Sequence, residues 1–149
     1  MKDVAREIRD TVNEVLGLLV RMKSAEVSAK SSRDKWCKKE ILGHLIDSAA
    51  NNHQRFVRAA YGVAADFPRY SQNDWVRIQQ YSESDWSDLV TLWASYNKHL
   101  SKVLERLPEE TFSAPVNIGQ EEPATLEFVA RDYVRHLRHH VDQLMQKVG

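Results

Sequence analysis

Residues 126–147, LEFVARDYVRHLRHHVDQLMQK, form the most regular segment of this chain. Apolar and aromatic residues recur there at spacings of four and three, which is the periodicity of one face of an α-helix. The side chains on this face are Val129, Tyr133, His136, His140 and Leu144. The pattern predicts a helix whose inward face carries two histidines at positions where the periodicity requires core residues. His139, one step round the helix, is predicted to face the rim of a site or the solvent.

Three earlier segments have the same helical periodicity. The first is predicted to run from Lys2 to Met22, the second from near Cys37 to Ala60, and the third from an N-cap at Ser82 to Leu107. Their apolar stripes comprise Val4, Ile8, Val12, Val15, Leu19 and Met22 in the first, Leu42, Leu45, Ala49, Phe56 and Ala60 in the second, and Leu89, Trp93, Tyr96, Leu100, Val103 and Leu107 in the third.

The segments between these helices are predicted to be irregular connections. Residues 23–35 are polar and serine-rich, residues 61–81 spread aromatic side chains among polar ones, and residues 107–123 have no helical period before Thr125, a predicted N-cap. No strand-like alternation persists over a useful length. We therefore predict an all-α protein, a four-helix bundle with long connections, in which residues 1–149 form one domain.

The composition argues against several classes of protein. The 149 residues include 21 basic and 21 acidic side chains, so the chain lacks the excess positive charge of a general nucleic-acid binder. No apolar run is long enough to span a bilayer, and residues 1–12 are too charged for a signal peptide. The single cysteine, Cys37, excludes an internal disulfide framework and suits a reducing compartment. We therefore expect a cytoplasmic protein without nucleic-acid or membrane partners.

A third histidine, His44, lies in another predicted helix, within EILGHLIDSAANNHQRF at 40–56. Its row on that helix is half polar, which is typical of a face that looks into a pocket. The other members of the row are Ile41, Ser48, Asn51 and Arg55. Because two histidines four residues apart lie about 6 Å apart along a helix axis, their rings can converge on one cation. A third imidazole from another helix would complete a divalent-metal site with open coordination positions.

Several alternatives remain open at these residues. Asp132, one turn before His136, could hold the second nitrogen of that imidazole, and Asp47 could do the same for His44 or act as a base. Either aspartate could equally form a surface salt bridge, and helical histidines often only satisfy a polar core. Leu137 stands where a zinc protease of the H-E-x-x-H type has its glutamate, so that mechanism is excluded.

The chain resembles the DinB-like (DinB/YfiT) superfamily of bacterial proteins. The matching pieces, in order, are Trp36 and Glu40, the run Gly43-His44-Leu45-Ile46-Asp47-Ser48, then Asn51 and Arg55-Phe56, Asp74-Trp75-Val76, and Tyr133-Val134-Arg135-His136 with His139-His140. The resemblance implies a four-helix bundle that holds a metal ion with His44, His136 and His140. It also implies a homodimer. Cys37 replaces the serine that usually caps the second helix in that family, a departure that leaves the three histidines intact.

The resemblance further implies a metal-dependent transferase that joins a low-molecular-weight thiol, such as bacillithiol, mycothiol or glutathione, to an electrophile. The expected partners are therefore a small-molecule thiol and an electrophilic substrate, whose pocket the loop bearing Trp75 would help to line. The metal is expected to be a divalent ion, with zinc or nickel as first choices and iron or manganese as alternatives; imidazole also suits copper. A metal-dependent hydrolase and a non-catalytic, stress-related metal-binding bundle are the competing hypotheses.

Overall fold

The computed structural model describes residues 1–62 and 65–146. Lys147, the predicted end of the last helix, lies outside the described residues. Four long helices dominate the chain: α1 (Lys2–Arg21), α3 (Lys38–Ala60), α5 (Trp86–Arg106) and α6 (Leu126–Met145). Two shorter helices, α2 (Ser24–Ser28) and α4 (Gln72–Gln79), lie in the connections. The prediction of an all-α four-helix bundle is confirmed.

The long helices pack in a ring whose order differs from their order in the chain. Helix α1 packs against α5 and α6, and α3 packs against the same two helices. Consecutive helices α1 and α3 therefore lie across the bundle from each other, and the connection from 22 to 37 has to cross it. This arrangement places α3 beside α6, so the helix of His44 contacts the helix of His136 and His140.

The core lies between the four long helices. Its largest fully buried side chains are Trp93, Phe56, Ile8, Leu19, Leu42, Leu45, Leu100, Leu104, Leu126, Leu137 and Leu144. The predicted stripe of α1 is buried throughout, apart from Met22 at the end of the helix. The predicted stripe of α6 needs correction. Leu137 and Val141 are buried, whereas His136 and His140 are only half-buried, because α6 packs against both α1 and α3 and therefore buries a broad sector.

The predicted start of the third long helix was wrong by one turn. Asp85 is the N-cap of α5, and its carboxylate accepts hydrogen bonds from the backbone N–H groups of Ser87 at 2.8 Å and Asp88 at 3.1 Å. Ser82 lies instead in a 3₁₀ turn, Tyr81–Glu83. A charged oxygen satisfies the free amides of a helix start and also interacts favourably with the helix dipole.

The segment from 61 to 81, predicted to be irregular, contains helix α4. Ser71 caps it by accepting a hydrogen bond from the backbone N–H of Asp74 at 3.3 Å. Gln80 ends it in the left-handed conformation, with φ of 50°. Only one turn or two of periodicity is present in so short a helix, which is why the apolar pattern did not reveal it.

Three short strands form a small sheet at the end of the bundle where α6 begins. Strand β2 (Pro115–Asn117) pairs in parallel with β1 (Ala65–Asp66) and antiparallel with β3 (Ala124–Thr125). The sheet joins the connection after α3 to the one before α6. Thr125 ends β3 and caps α6, as predicted, by accepting the Phe128 N–H at 3.1 Å. Strands of two or three residues are too short to produce an alternating pattern.

Within residues 1–62 and 65–146, no helix combines the length and the apolar character that crossing a membrane requires.

Candidate metal centre

Three histidine rings meet where α3 packs against α6. His44 is fully buried on α3 and faces His136 and His140, which lie one turn apart on α6. The ring of His44 lies 5.0 Å from that of His136 and 4.7 Å from that of His140, centroid to centroid. Each residue offers one ring nitrogen, and these nitrogens lie within 4.8 Å of one another. The structure thus brings together the three histidines that the sequence singled out; metal binding by them stays a prediction.

The spacing of the nitrogens suits a shared ion. The Nε2 atoms of His44 and His136 are 3.1 Å apart. Imidazole nitrogens about 2.0–2.1 Å from a zinc ion are about 2.8–3.4 Å from each other when the angle at the metal is between 90° and the tetrahedral value. No carboxylate hydrogen-bonds to these rings among the described residues, so a cation would not compete with an existing ion pair.

Polar side chains orient two of the three rings. The Nδ1 of His140 lies 2.8 Å from Oε1 of Gln143, and the Nδ1 of His136 lies 3.4 Å from Oγ of Ser48. These contacts occupy Nδ1 and leave Nε2 available, and the Nε2 of His136 faces that of His44. An outer hydrogen bond fixes a metal-binding imidazole in this way. The buried Nδ1 of His44 has no hydrogen-bond partner within the described residues. An unpaired buried polar atom costs about 1–3 kcal/mol, so packing alone gives no reason for a histidine here.

The protein environment keeps the imidazoles neutral. Burial, reinforced by the neighbouring rings of His136 and His140, lowers the pKa of His44 to about 3. Burial and the charge of His140 lower the pKa of His136 to about 4. Burial also lowers the pKa of His140. All three rings are therefore neutral at pH 7, which is the form that ligates a metal.

These pKa values predict an acid-sensitive fold in the metal-free protein. Above pH 6.5 His44 is neutral in both states, but below it the unfolded chain takes up a proton that the folded chain refuses. Stability should therefore fall with falling pH, and His44 alone should remove up to about 2 kcal/mol between pH 6.5 and 5. Urea unfolding with a chelator present measures this, and the His44→Leu variant should show a shallower dependence on pH. An equal dependence in that variant would refute the assignment to His44.

Two cavities flank the three rings. One, of about 440 Å³, is bounded by His140, Gln143, Trp36 and Ile41 and is called the His140 cavity. The other, of about 280 Å³, is bounded by His136 and by side chains from α3, α6 and the two connections, and is called the His136 cavity. Trp36 also packs beside His44, with its ring centroid 5.1 Å away. The site is therefore reachable from two sides.

The two aspartates proposed as partners of the histidines have other partners. Asp132 accepts hydrogen bonds from Arg135 at 2.6 and 3.0 Å, which is the surface salt bridge of the alternative hypothesis. Its charge still acts on His136, whose pKa it raises against the dominant effect of burial. Asp47 is buried and accepts hydrogen bonds from the Tyr81 hydroxyl at 2.6 Å and from Gln79 at 2.8 Å. Neither carboxylate holds a ring nitrogen of the histidines.

Three of the four other members of the half-polar row of His44 line the cavities, whereas Asn51 donates to the backbone carbonyl of Asp47 at 2.9 Å and lines neither. Ile41 lines the His140 cavity, and Ser48 and Arg55 line the His136 cavity. Gln143 was missed, although its place three residues after His140 on the same helix was a signal that could have identified it.

The long connection reaches both cavities, but through residues other than Trp75. Asn73 lines the His140 cavity, and Arg69, Tyr70 and Gln72 line the His136 cavity. Trp75 is 37% exposed and packs against Tyr70, with ring centroids 5.1 Å apart. The loop that bears Trp75 therefore lines both cavities, whereas Trp75 itself packs on Tyr70.

Cys37 has the properties of a structural residue. Its side chain is buried at the N-cap of α3, and its backbone N–H donates to the Glu40 carboxylate at 2.8 Å. Burial raises the pKa of the thiol, so the reactive thiolate is disfavoured at neutral pH.

Comparison with solved structures identifies proteins of the same fold. YfiT from Bacillus subtilis, a probable metal-dependent hydrolase with an unusual four-helix bundle topology, superposes with a TM-score of 0.82 at 20% identity, over 96% of this chain and 83% of YfiT. A mycothiol-dependent maleylpyruvate isomerase superposes with a TM-score of 0.77 at 16% identity, over 96% of this chain and 60% of the isomerase. At these identities the similarity is one of fold.

Comparison of sequences shows the family to which this chain is related. No curated protein sequence matches this chain significantly. The profile of the DinB superfamily, by contrast, matches residues 7–144, which take in most or all of each long helix and the three histidines. This chain belongs to the DinB superfamily.

Proposed function

We propose that this chain binds a divalent metal ion through His44, His136 and His140 and catalyses the transfer of a low-molecular-weight thiol to an electrophile. The observation that carries the proposal is the convergence of three neutral imidazoles from two helices between two cavities. A bound cation lowers the pKa of a thiol that reaches it, and the thiolate is the reactive nucleophile.

The two cavities suit a reaction of two substrates. The larger His140 cavity is lined by the apolar side chains of Trp36 and Ile41 and by the polar ones of Gln143 and Lys35, so it offers both kinds of contact to a thiol of moderate size. The smaller His136 cavity would hold the electrophile. Both molecules would reach the same histidines from their cavities. Holding them there would bring sulfur and carbon together with little loss of freedom at the reaction step.

Similar structures support both this proposal and its main alternative. One similar protein is a mycothiol-dependent isomerase, which favours a thiol as the partner of the metal site. The other is a probable metal-dependent hydrolase, which favours water in the same position. Asp132 lines the His136 cavity and acts electrostatically on His136, so it is the better candidate base for the hydrolytic alternative.

Other parts of the proposal concern the setting of the site. We include zinc or nickel as the first candidates for the ion, because imidazole suits both, with iron or manganese as alternatives. We also include one domain over residues 1–149, a homodimer, and a cytoplasmic location, which suits the single buried cysteine.

Turnover assays should separate the candidate functions. The zinc- or nickel-loaded protein is expected to conjugate a model electrophile with at least one of bacillithiol, mycothiol and glutathione, and the His140→Ala variant should lose this activity. Ester cleavage without any thiol, alongside inactivity with every thiol, would replace the transferase by a hydrolase. Retained metal with no turnover of either kind would identify a non-catalytic metal-binding protein.

A further inference from the structure

Two arginines line the His136 cavity without a carboxylate partner. Arg55 reaches it from α3, and Arg69 reaches it from the connection between α3 and α4. Among residues 1–62 and 65–146, neither guanidinium lies within 4.0 Å of an acidic oxygen, whereas Asp132, the acidic side chain of this cavity, is paired with Arg135. Two positive groups therefore face a space beside a candidate metal ligand.

The surroundings of Arg55 leave much of its donor capacity unused. Its Nη1 donates to Oδ1 of Asn52 over a long 3.3 Å, and its guanidinium lies over the Phe67 ring at 5.9 Å from the centroid. Its Nε is buried and has no hydrogen-bond partner among the described residues. A guanidinium has five N–H donors in a planar fork, so Arg55 keeps terminal N–H groups beyond the one bonded to Asn52 for a molecule in the cavity.

Arg69 is held in place by a bond that leaves its end groups free to bind. Its Nε donates to the backbone carbonyl of Gly119 at 2.9 Å, which fixes the side chain in the lining of the cavity. The terminal nitrogens make no hydrogen bond to a side chain or backbone oxygen in the described part of the chain. A guanidinium that is fixed beforehand loses less freedom when it binds an anion.

We propose that the His136 cavity binds the carboxylate group of the substrate, with Arg55 as its anchor and Arg69 as a second donor. The inference rests on the proposed function, because it names a chemical class for the electrophile of that site. Arg–carboxylate contacts are bidentate and charge-assisted, which fixes the orientation of the bound group as well as its position. A carboxylate held there places the rest of the molecule against His136 and the apolar side chains of Val129 and Ile118.

The charge of the cavity favours a carboxylate over a phosphate. Two arginines and one aspartate give the lining a single excess positive charge, and Arg135, the partner of that aspartate, lies outside the lining. A carboxylate carries one negative charge, whereas a phosphate monoester carries about −1.5 to −2 near pH 7. Burial lowers the pKa of Arg55, and Tyr70 and the negative charge of Asp132 oppose that effect. The charge of Asp132 would repel a doubly charged ligand more strongly than a singly charged one.

Calorimetric titration of the metal-free protein with benzoate tests this inference. Benzoate is expected to bind without a metal ion, with a Kd on the order of 1 mM. It should also bind more tightly than inorganic phosphate. The neutral isostere benzamide should not bind. The Arg55→Met variant, which keeps a long apolar side chain over Phe67, should bind benzoate roughly 10- to 100-fold more weakly, as expected on losing hydrogen bonds to a charged group.

Two further variants keep the test decisive. Arg58 is an exposed arginine one turn along α3 that bonds to Gln54. The Arg58→Met variant should therefore leave benzoate binding unchanged. Arg69→Gln, at an exposed position, should weaken binding about 3- to 10-fold even if Arg55→Met fails to fold. The inference would be overturned by unaltered affinity for benzoate in the Arg55 or Arg69 variants. Tighter binding of phosphate than of benzoate, or no binding of benzoate to the wild-type protein, would also overturn it. Because no metal is present, failure here is distinct from failure of metal binding or of catalysis.

Discussion

Replacing His44 with alanine is expected to weaken the affinity of this protein for zinc or nickel by roughly 100- to 1,000-fold. Zinc sites with four ligands bind with about 10–16 kcal/mol in total, so one ligand accounts for about 2.5–4 kcal/mol of binding free energy. His44 is the only ligand candidate from α3, and its Nε2 lies 3.1 Å from that of His136. Without it, two imidazoles on one helix remain. Competition with a chromophoric chelator measures the change in Kd.

The same helix offers a matched control. His53 lies on α3 but pairs with Tyr96, with 3.1 Å between Nδ1 and the hydroxyl oxygen, and stands outside the metal-binding group. The His53→Ala variant should therefore retain the affinity of the wild type. Equal losses in the His44 and His53 variants would indicate a general effect of disturbing α3 and would count against a specific site.

Replacing Gly43 with alanine should destabilise the fold by about 3 kcal/mol, at the upper end of the cost of overpacking a core. A Cβ atom at residue 43 would lie 2.1 Å from Cδ2 and 2.2 Å from Cγ of Tyr81. These atoms are near the root of the tyrosine ring, so a simple rotation cannot clear them. Displacing Tyr81 would also break its 2.6 Å hydrogen bond to the buried Asp47. Urea unfolding gives the change in the free energy of unfolding.

Gly17 is the matched control for this effect. It lies in α1, and an added Cβ there would meet nothing within 4 Å. Gly17→Ala should therefore stabilise the protein by about 0.5–1 kcal/mol through helix propensity alone. Combining Gly43→Ala with Tyr81→Ala should cost less than the sum of the two single changes, because without the tyrosine ring the new methyl group has nothing to clash with. Additive costs would show that the close approach of Tyr81 is not the cause.

The long helices of the fold were predictable because each buries a periodic face. The stripes of α1 and α6 repeat over five turns, so their period is unmistakable, and Thr125 marks the start of α6 by its side-chain oxygen. Helix α4 and the three strands were not predictable from pattern, since elements of two to eight residues carry too little periodicity. The ring order of the helices also depends on contacts between distant segments, which no local pattern encodes.

The candidate site was predictable to the extent that it lies on helix faces. His44, His136 and His140 were found from spacing and family resemblance, and Ser48 and Arg55 fell on the row that was predicted to face a pocket. The roles suggested for Asp47 and Asp132 could not be decided from sequence. Their partners, Tyr81 and Arg135, compete for the carboxylates through tertiary geometry and side-chain rotamers.

Residues from the connections were the hardest part of the site to predict. Arg69 and Tyr70 reach the His136 cavity because β1 pairs with β2 and because Arg69 bonds to Gly119. Both interactions join segments about fifty residues apart in the chain. Only the folded arrangement shows which side chains of such a loop face the histidines.

The metal content of the purified protein tests the central claim most directly. After incubation with zinc or nickel and removal of loosely bound ions by gel filtration, mass spectrometry of the digested sample should find about one ion per chain. The three converging imidazoles, all neutral at pH 7, predict this stoichiometry for the wild type and its loss in the His140→Ala variant. Only trace metal in the wild type, or equal metal in the variant, would contradict a metal centre at these histidines.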